Sequence, residues 1–186
     1  MKNTNDRFCI ERIKAGDVRA FSTIVSNYQR PVFTIILKIV ANREDAEDIM
    51  QEVFVKVFKS LDRFKGDAEF STWLYRIAYN TTISELRKKK LLFLPVNDNL
   101  SLVNEQVTNE EELDLTDIKF KHLDEALKKL PPDEIFLVTL YYYKEQSMEA
   151  ISEISNLSVA NVKVKLHRIR KKLALEINRL LEDELK

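Results

Sequence analysis

Along the first half of the chain, apolar positions return at steps of three and four. The pattern is clearest between Arg43 and Ser60, where Ala46, Ile49, Met50, Val53, Phe54, Val57 and Phe58 lead on to Leu61. That spacing lays one apolar stripe on a helix. Upstream, a short helix is expected to stop near Gly16, and a second, capped by Asp17, carries Phe21, Ile24, Val25 and Tyr28 on one stripe. Pro31 suits the first turn of a third. After the polar break Lys65-Gly66-Asp67, a helix from about Phe70 to Lys90 has two faces. Phe70, Leu74, Ile77 and Thr81 share one; Thr72, Arg76, Tyr79, Asn80 and Ile83 share the other.

The periodicity lapses from about Leu91 to Asp114, where Pro95, several Asn and Ser and a run of acids give neither helical nor strand repeats. This reads as a flexible acidic linker. A second helical unit begins near Leu115 and is divided at Pro131-Pro132, at Lys144-Glu145-Gln146 and at Ser155-Asn156-Leu157-Ser158. Asn156 tolerates the left-handed backbone of a tight turn, and Ser158 can cap the helix that follows. The segment Ser147 to Lys172 therefore fits a helix-turn-helix, with Met148, Ile151 and Ile154 inward on its first helix.

On the second helix, Val162, Leu166, Ile169 and Leu173 form the core face. Ala160, Val164, His167 and Lys171 lie opposite, flanked by Asn161 and Arg168 on one side and Lys163 and Arg170 on the other. Such a face suits a major groove: Val164 can meet a thymine methyl, Asn and Arg can bond base edges, and Lys can sit on phosphates. A merely solvated basic helix would carry similar charge, but the short helix and turn before it favour DNA. His167 has no second ligand at metal-binding spacing.

Composition narrows the classes. With 2 glycines and 4 prolines in 186 residues and 45% apolar content, the chain is expected to be all-α, as one domain or two small ones. The single Cys9 forms no internal disulfide, and no apolar leader stands at the N-terminus, so a cytoplasmic address is expected. Thirty basic and thirty acidic residues cancel, yet they are sorted into blocks. Leu91 to Ile118 holds no Lys or Arg and seven acids, Arg87 to Lys90 is wholly basic, and Ser158 to Lys172 has six basic residues and no acid. Aromatic rings at Phe64, Trp73, Tyr75 and Tyr79 near Lys65, Arg76 and Arg87 to Lys90 suit single-stranded DNA, because any unstacked base can lie on a ring. Trp73 fits a core position as well.

Three runs, in order, resemble the extracytoplasmic-function sigma factors over nearly the whole chain. Asp45 to Phe54 (DAEDIMQEVF) resembles the family's core-polymerase-binding helix. Phe64-Lys65-Gly66-Asp67 with Phe70 to Asn80 (FSTWLYRIAYN) resembles the part that reads and opens the −10 element, and Leu130-Pro131-Pro132 leads into a helix-turn-helix similar to the one that binds the −35 element.

The resemblance implies two helical domains, a four-helix region 2 over 1–91 and a region 4 over 115–186, joined by an acidic linker over 92–114. Core polymerase is expected on Asp45, Asp48, Gln51 and Glu52. The −10 strand is expected on Phe64, Lys65, Asp67, Phe70, Tyr75, Arg76, Tyr79, Asn80, Arg87 and Lys88, and the −35 duplex on Ser158, Asn161, Lys163, Val164, Lys165, His167, Arg168 and Lys171. It also implies an anti-sigma partner, often membrane-anchored, and no cofactor, metal or small-molecule substrate. The linker would thread a basic polymerase channel in place of nucleic acid. In the free protein it could let the domains collapse and mask their basic faces. Two departures stand out: Asn156 replaces a frequent turn glycine, and Val164-Lys165 replaces a frequent Ser-Arg pair, so the fold carries over but the promoter sequence does not.

Two other classes are weighed. A helix-turn-helix regulator independent of polymerase would need a dimer surface or receiver pocket, and the first half has no strand-helix alternation to build one. An enzyme would need a catalytic set, whereas the chain has two histidines, His122 and His167, no phosphate-cradling glycine loop and no His-Asp metal motif.

Overall fold

The computed structural model describes residues 2–92 and 115–184, with side-chain surroundings for 6–89 and 122–184. Among these residues there are helices and turns but no strand. The expected linker falls largely outside them.

The first domain comprises α1 (Lys2–Lys14), α2 (Phe21–Val40), α3 (Arg43–Ser60) and α4 (Phe70–Leu92), with 3-10 turns at Val18–Ala20 and Leu61–Arg63. Gly16 follows α1 with φ at 99°, a turn open to glycine that ends the helix where the sequence expects it to stop. Two expectations need correction. Asp17 makes no side-chain cap; its carboxylate instead accepts from the Arg12 guanidinium at 2.5 Å. Pro31 opens no helix, because α2 runs through it unbroken. Its neighbours Val32, Ile35, Ile36 and Ile39 continue the buried stripe of Ile24 and Tyr28, and that burial outweighs the one hydrogen bond proline cannot donate.

Asn42 joins α2 to α3 by a true cap, its side chain accepting from the Asp45 amide at 2.9 Å. Asn42→Ala is expected to lower stability by about 1 kcal/mol, read from a denaturant midpoint at unchanged slope. Most of the α3 stripe is core as its spacing predicts: Ala46, Ile49, Val53, Phe54, Val57 and Leu61 are buried against α2 and α4, whereas Met50 is half-buried and Phe58, at the end of the helix, is 40% exposed with its ring edge-on to Phe21. One polar pair lies within this core, where the Tyr28 hydroxyl donates to the buried Asp6 carboxylate at 2.5 Å. Burial first, and then that carboxylate, raise the phenol's pKa well above its ordinary value.

The second domain is α5 (Leu115–Lys128), α6 (Pro132–Val138) running into a π-helical turn (Thr139–Tyr143), α7 (Met148–Ser155) and α8 (Val159–Glu184). Pro132 starts α6, where its missing N–H costs nothing. Ser147 caps α7 by accepting from the Ala150 amide at 3.1 Å. Asn156 ends α7 at φ 56° and ψ 35°, and the Ser158 hydroxyl accepts from the Asn161 amide at 3.2 Å, so the tight turn and the cap both form as expected.

The domains pack on each other. Helix α4 lies against α7 and α6, and α2 lies against α6. Among the described residues no helix is long and apolar enough to cross a membrane, and no group of three His, Cys, Asp or Glu could hold a metal ion.

Candidate nucleic-acid interface

Helix α8 presents the basic face that its sequence predicts. Val162, Leu166 and Ile169 are fully buried against the domain core, which turns Asn161, Lys163, Val164, His167, Arg168 and Lys171 to solvent. Val164 is 47% exposed, so its methyl groups stand free on this face. Asn161 and Arg168 stand two helical turns apart on one side of the helix, about 10 Å along its axis. Ser158 begins this face and fixes its first turn.

Three basic side chains at this helix have acceptors already. Lys165 Nζ is 2.7 Å from Asp133, and Lys172 Nζ is 2.6 Å from Glu134, so α6 holds α8 through two ion pairs. Arg170 Nε donates to the Tyr142 hydroxyl at 2.6 Å, with its guanidinium 5.8 Å from the ring centroids of both Tyr141 and Tyr142. The sequence flagged Arg170 only as a flanking cation. The three consecutive tyrosines on the π-helical turn were the signal for this arrangement.

In the first domain the expected strand-reading residues divide. Lys65, Asp67, Arg76, Asn80, Arg87 and Lys88 are exposed. Phe64 is half-buried and packs with Phe70 and Trp73, at centroid separations of 5.5 and 5.3 Å. Phe70 and Tyr75 are 3% and 5% exposed, so in this arrangement neither ring offers a face to a base. Burial pushes the Tyr75 phenol up to about 12. Trp73 is half-buried against the core. Tyr79 is half-buried too, with its ring edge-on to Phe136 of the second domain at 4.9 Å. Burial, and next the Asp133 carboxylate, raise its pKa.

The acidic side of α3 is likewise mixed. Asp48 and Gln51 are exposed, and Gln51 lines a shallow groove of about 330 Å³ with Phe33, Arg43, Glu47 and Met50. Glu52 pairs with Lys56 one turn along at 2.7 Å. Asp45 forms an ion pair with Lys89, from the basic run that ends α4. That pairing joins residues 44 positions apart and has no local sequence signal.

Comparison with known proteins agrees with this division. The chain matches the Sigma-70 region 2 model over residues 24–91 and the Sigma-70, region 4 model over residues 121–173. It is 32% identical to the ECF RNA polymerase sigma factor SigW of Bacillus subtilis over 179 residues, covering 92% of this chain and 96% of the relative. It is 28% identical to the ECF RNA polymerase sigma-E factor of Escherichia coli K12 over 186 residues, covering 95% and 96%. Among solved structures, it resembles the sigma factor RpoE of Bartonella quintana, in complex with the anti-sigma factor NepR, with a TM-score of 0.69. That match, at 19% identity, covers 85% of this chain and 96% of the other.

Proposed function

Because the chain belongs to the extracytoplasmic-function sigma factors of RNA polymerase, we propose that its two helical domains divide the promoter between them, residues 1–91 taking the −10 element and residues 115–186 the −35 element. As a sigma factor it directs promoter-specific initiation and is not itself an enzyme. The observation that carries the division of labour is the exposed face of α8, set by the left-handed turn at Asn156 and anchored by buried Val162, Leu166 and Ile169.

On this reading, Asn161, Arg168 and Val164 meet base edges, while Ser158, Lys163, Lys165, His167 and Lys171 position the duplex through its phosphates. Lys165 must exchange Asp133 for phosphate to do so. In the first domain, Lys65, Arg76, Arg87 and Lys88 follow the strand backbone, and Asn80, Asp67 and the rings at Phe64 and Tyr79 receive unstacked bases. Phe70 and Tyr75 shape that site from beneath, as buried supports. Core polymerase docks on α3 through Asp48, Gln51 and Glu52. Asp45 contributes there once Lys89 yields it.

Residues 92–114 tether the two domains, so that binding one element raises the effective concentration of the other domain at its own. The protein works in the cytoplasm, where polymerase is. An anti-sigma factor restrains it, and a membrane-anchored one fits the reading as well as a free one; the B. quintana protein is seen in complex with the anti-sigma factor NepR.

Run-off transcription with purified core polymerase tests the assignment on the promoter region upstream of the protein's own gene. Initiation that depends on the protein is expected, and Asp48→Lys/Glu52→Lys is expected to weaken core binding about tenfold. DNA binding without any core binding would instead identify a polymerase-independent helix-turn-helix regulator.

A further inference from the structure

The loop between Phe64 and Phe70 joins the 3-10 turn Leu61–Arg63 to α4, and it carries Lys65 and Asp67, both exposed. Exposed loop residues make few packing contacts, so the shape of such a loop is set where it leaves the core and where it returns. Here the two ends meet, because the Phe64 ring packs on Phe70 and Trp73. Between them the chain turns at Gly66, whose φ of 82° favours glycine.

Helix α1 holds both ends. It lies against the 3-10 turn before the loop and against α4 after it. At the entrance Lys14, the last residue of α1, donates from Nζ to the Phe64 carbonyl oxygen at 2.7 Å. This bond reaches across 50 positions of sequence and fixes the peptide plane between Phe64 and Lys65, which decides where Lys65 points. At the exit, Phe70 lies edge-on to Tyr28 with ring centroids 5.6 Å apart, and the Tyr28 hydroxyl donates to Asp6 of α1. Asp6 and Tyr28 are 5% and 8% exposed, so the exit is held in the core while the entrance is held at the surface. Asp6 and Lys14 stand about 12 Å apart along the helix. Buried Cys9 and Ile10 seat the helix between these two holds.

We infer that α1 braces the −10 reading loop, and that Lys14 is a positioning residue for sequence discrimination in the melted strand, acting through the Phe64–Lys65 peptide and not on a base. This rests on the reading of residues 64–80 as the strand-reading part. Donors and acceptors discriminate between bases only when they are held in place before the strand arrives; a loop that relaxes around its ligand accepts a wrong base nearly as well. The Lys14 bond is exposed, so its loss disturbs folding little. Its place at the neck of the loop makes the same loss felt at Lys65 and Asp67.

The test uses the full chain assembled with core polymerase. The probe is a fluorescent oligonucleotide carrying the non-template strand around the start site mapped by run-off transcription, beside one with its −10 bases permuted. Lys14→Met keeps the length of the side chain and removes its charge and donors. It is expected to narrow the ratio of affinities, correct over permuted, about three- to tenfold, the net worth of a single hydrogen bond. Binding of the −35 duplex should match the parent. Lys14→Arg can still donate to the carbonyl and should recover most of the ratio. Salt dependence separates positioning from contact. A cation bonded to a carbonyl releases no counterions from the strand, so Lys14→Met should keep the parent's slope of log affinity against log salt, whereas Lys65→Met should lower it by about 0.7. An unchanged ratio in Lys14→Met overturns the inference. A slope lowered by about 0.7 does so too, by making Lys14 a phosphate contact, as does an equal loss of −35 duplex binding, by making the effect a general loss of fold. A parent that binds core polymerase yet does not distinguish the two strands overturns the reading of residues 64–80 itself, and the brace with it.

Discussion

Replacing Phe136 with alanine is expected to cost about 3–5 kcal/mol, the range for emptying a fully buried aromatic site. Phe136 is 0% exposed and sits on α6, a helix of only seven residues that packs against α8, α2 and α4. A helix this short has little stability of its own. Its place is fixed by Ile135, Phe136, Leu137 and Val138 below and by the ion pairs of Asp133 and Glu134 to α8 above. Removing the ring leaves a cavity at the junction of three helices and deprives Tyr79 of its partner. For a small domain the loss corresponds to roughly 12–40 °C in the thermal midpoint, followed by circular dichroism. Phe136→Leu keeps most of the volume and should cost about 1 kcal/mol. A midpoint that hardly moves in the alanine variant would mean that α6 carries little of the domain's stability.

Much of this fold was readable because its helices bury one face each. On α3 and α8 the three-and-four spacing names most of the core residues, since a helix with one buried side leaves little other solution; Phe58, last on its stripe, is the exposed exception. Asn156 and Ser158 were equally legible, as turn and cap chemistry is decided within a few residues. Pro31 misled for the converse reason: its local preference is to begin a helix, but burial on both sides of it carries α2 straight through.

The candidate sites were legible to different depths. On α8 the side chains assigned to DNA are those the core leaves over, so the spacing that names the core names the candidate site as well. On α4 the aromatic residues serve two ends, and composition does not say which ring is support and which is surface. Tyr75 and Phe70 went to the interior and Tyr79 to the domain contact. Pairings such as Asp45 with Lys89, or Lys38 with Asp124, depend on which helices meet, and no spacing along the chain encodes that.

The sharpest functional contrast should come from α8 itself. Asn161→Ala/Arg168→Ala removes two side chains capable of bonding base edges, each such contact contributing about 1–3 kcal/mol of discrimination. Binding of the correct −35 duplex is expected to fall on the order of a hundred- to a thousandfold, toward the level of unrelated duplex. The two residues stand two helical turns apart, and about 10 Å along the helix spans roughly three base-pair steps. Loss of preference should therefore fall on positions about three base pairs apart. Lys171→Ala removes charge without a planar fork of donors, so it should weaken correct and unrelated duplexes alike and lower the slope of log affinity against log salt by about one. Binding to permuted duplexes at two salt concentrations separates these outcomes. If the double variant lost affinity uniformly over all sequences, Asn161 and Arg168 would be phosphate contacts, and base reading would have to rest on Val164 and its neighbours.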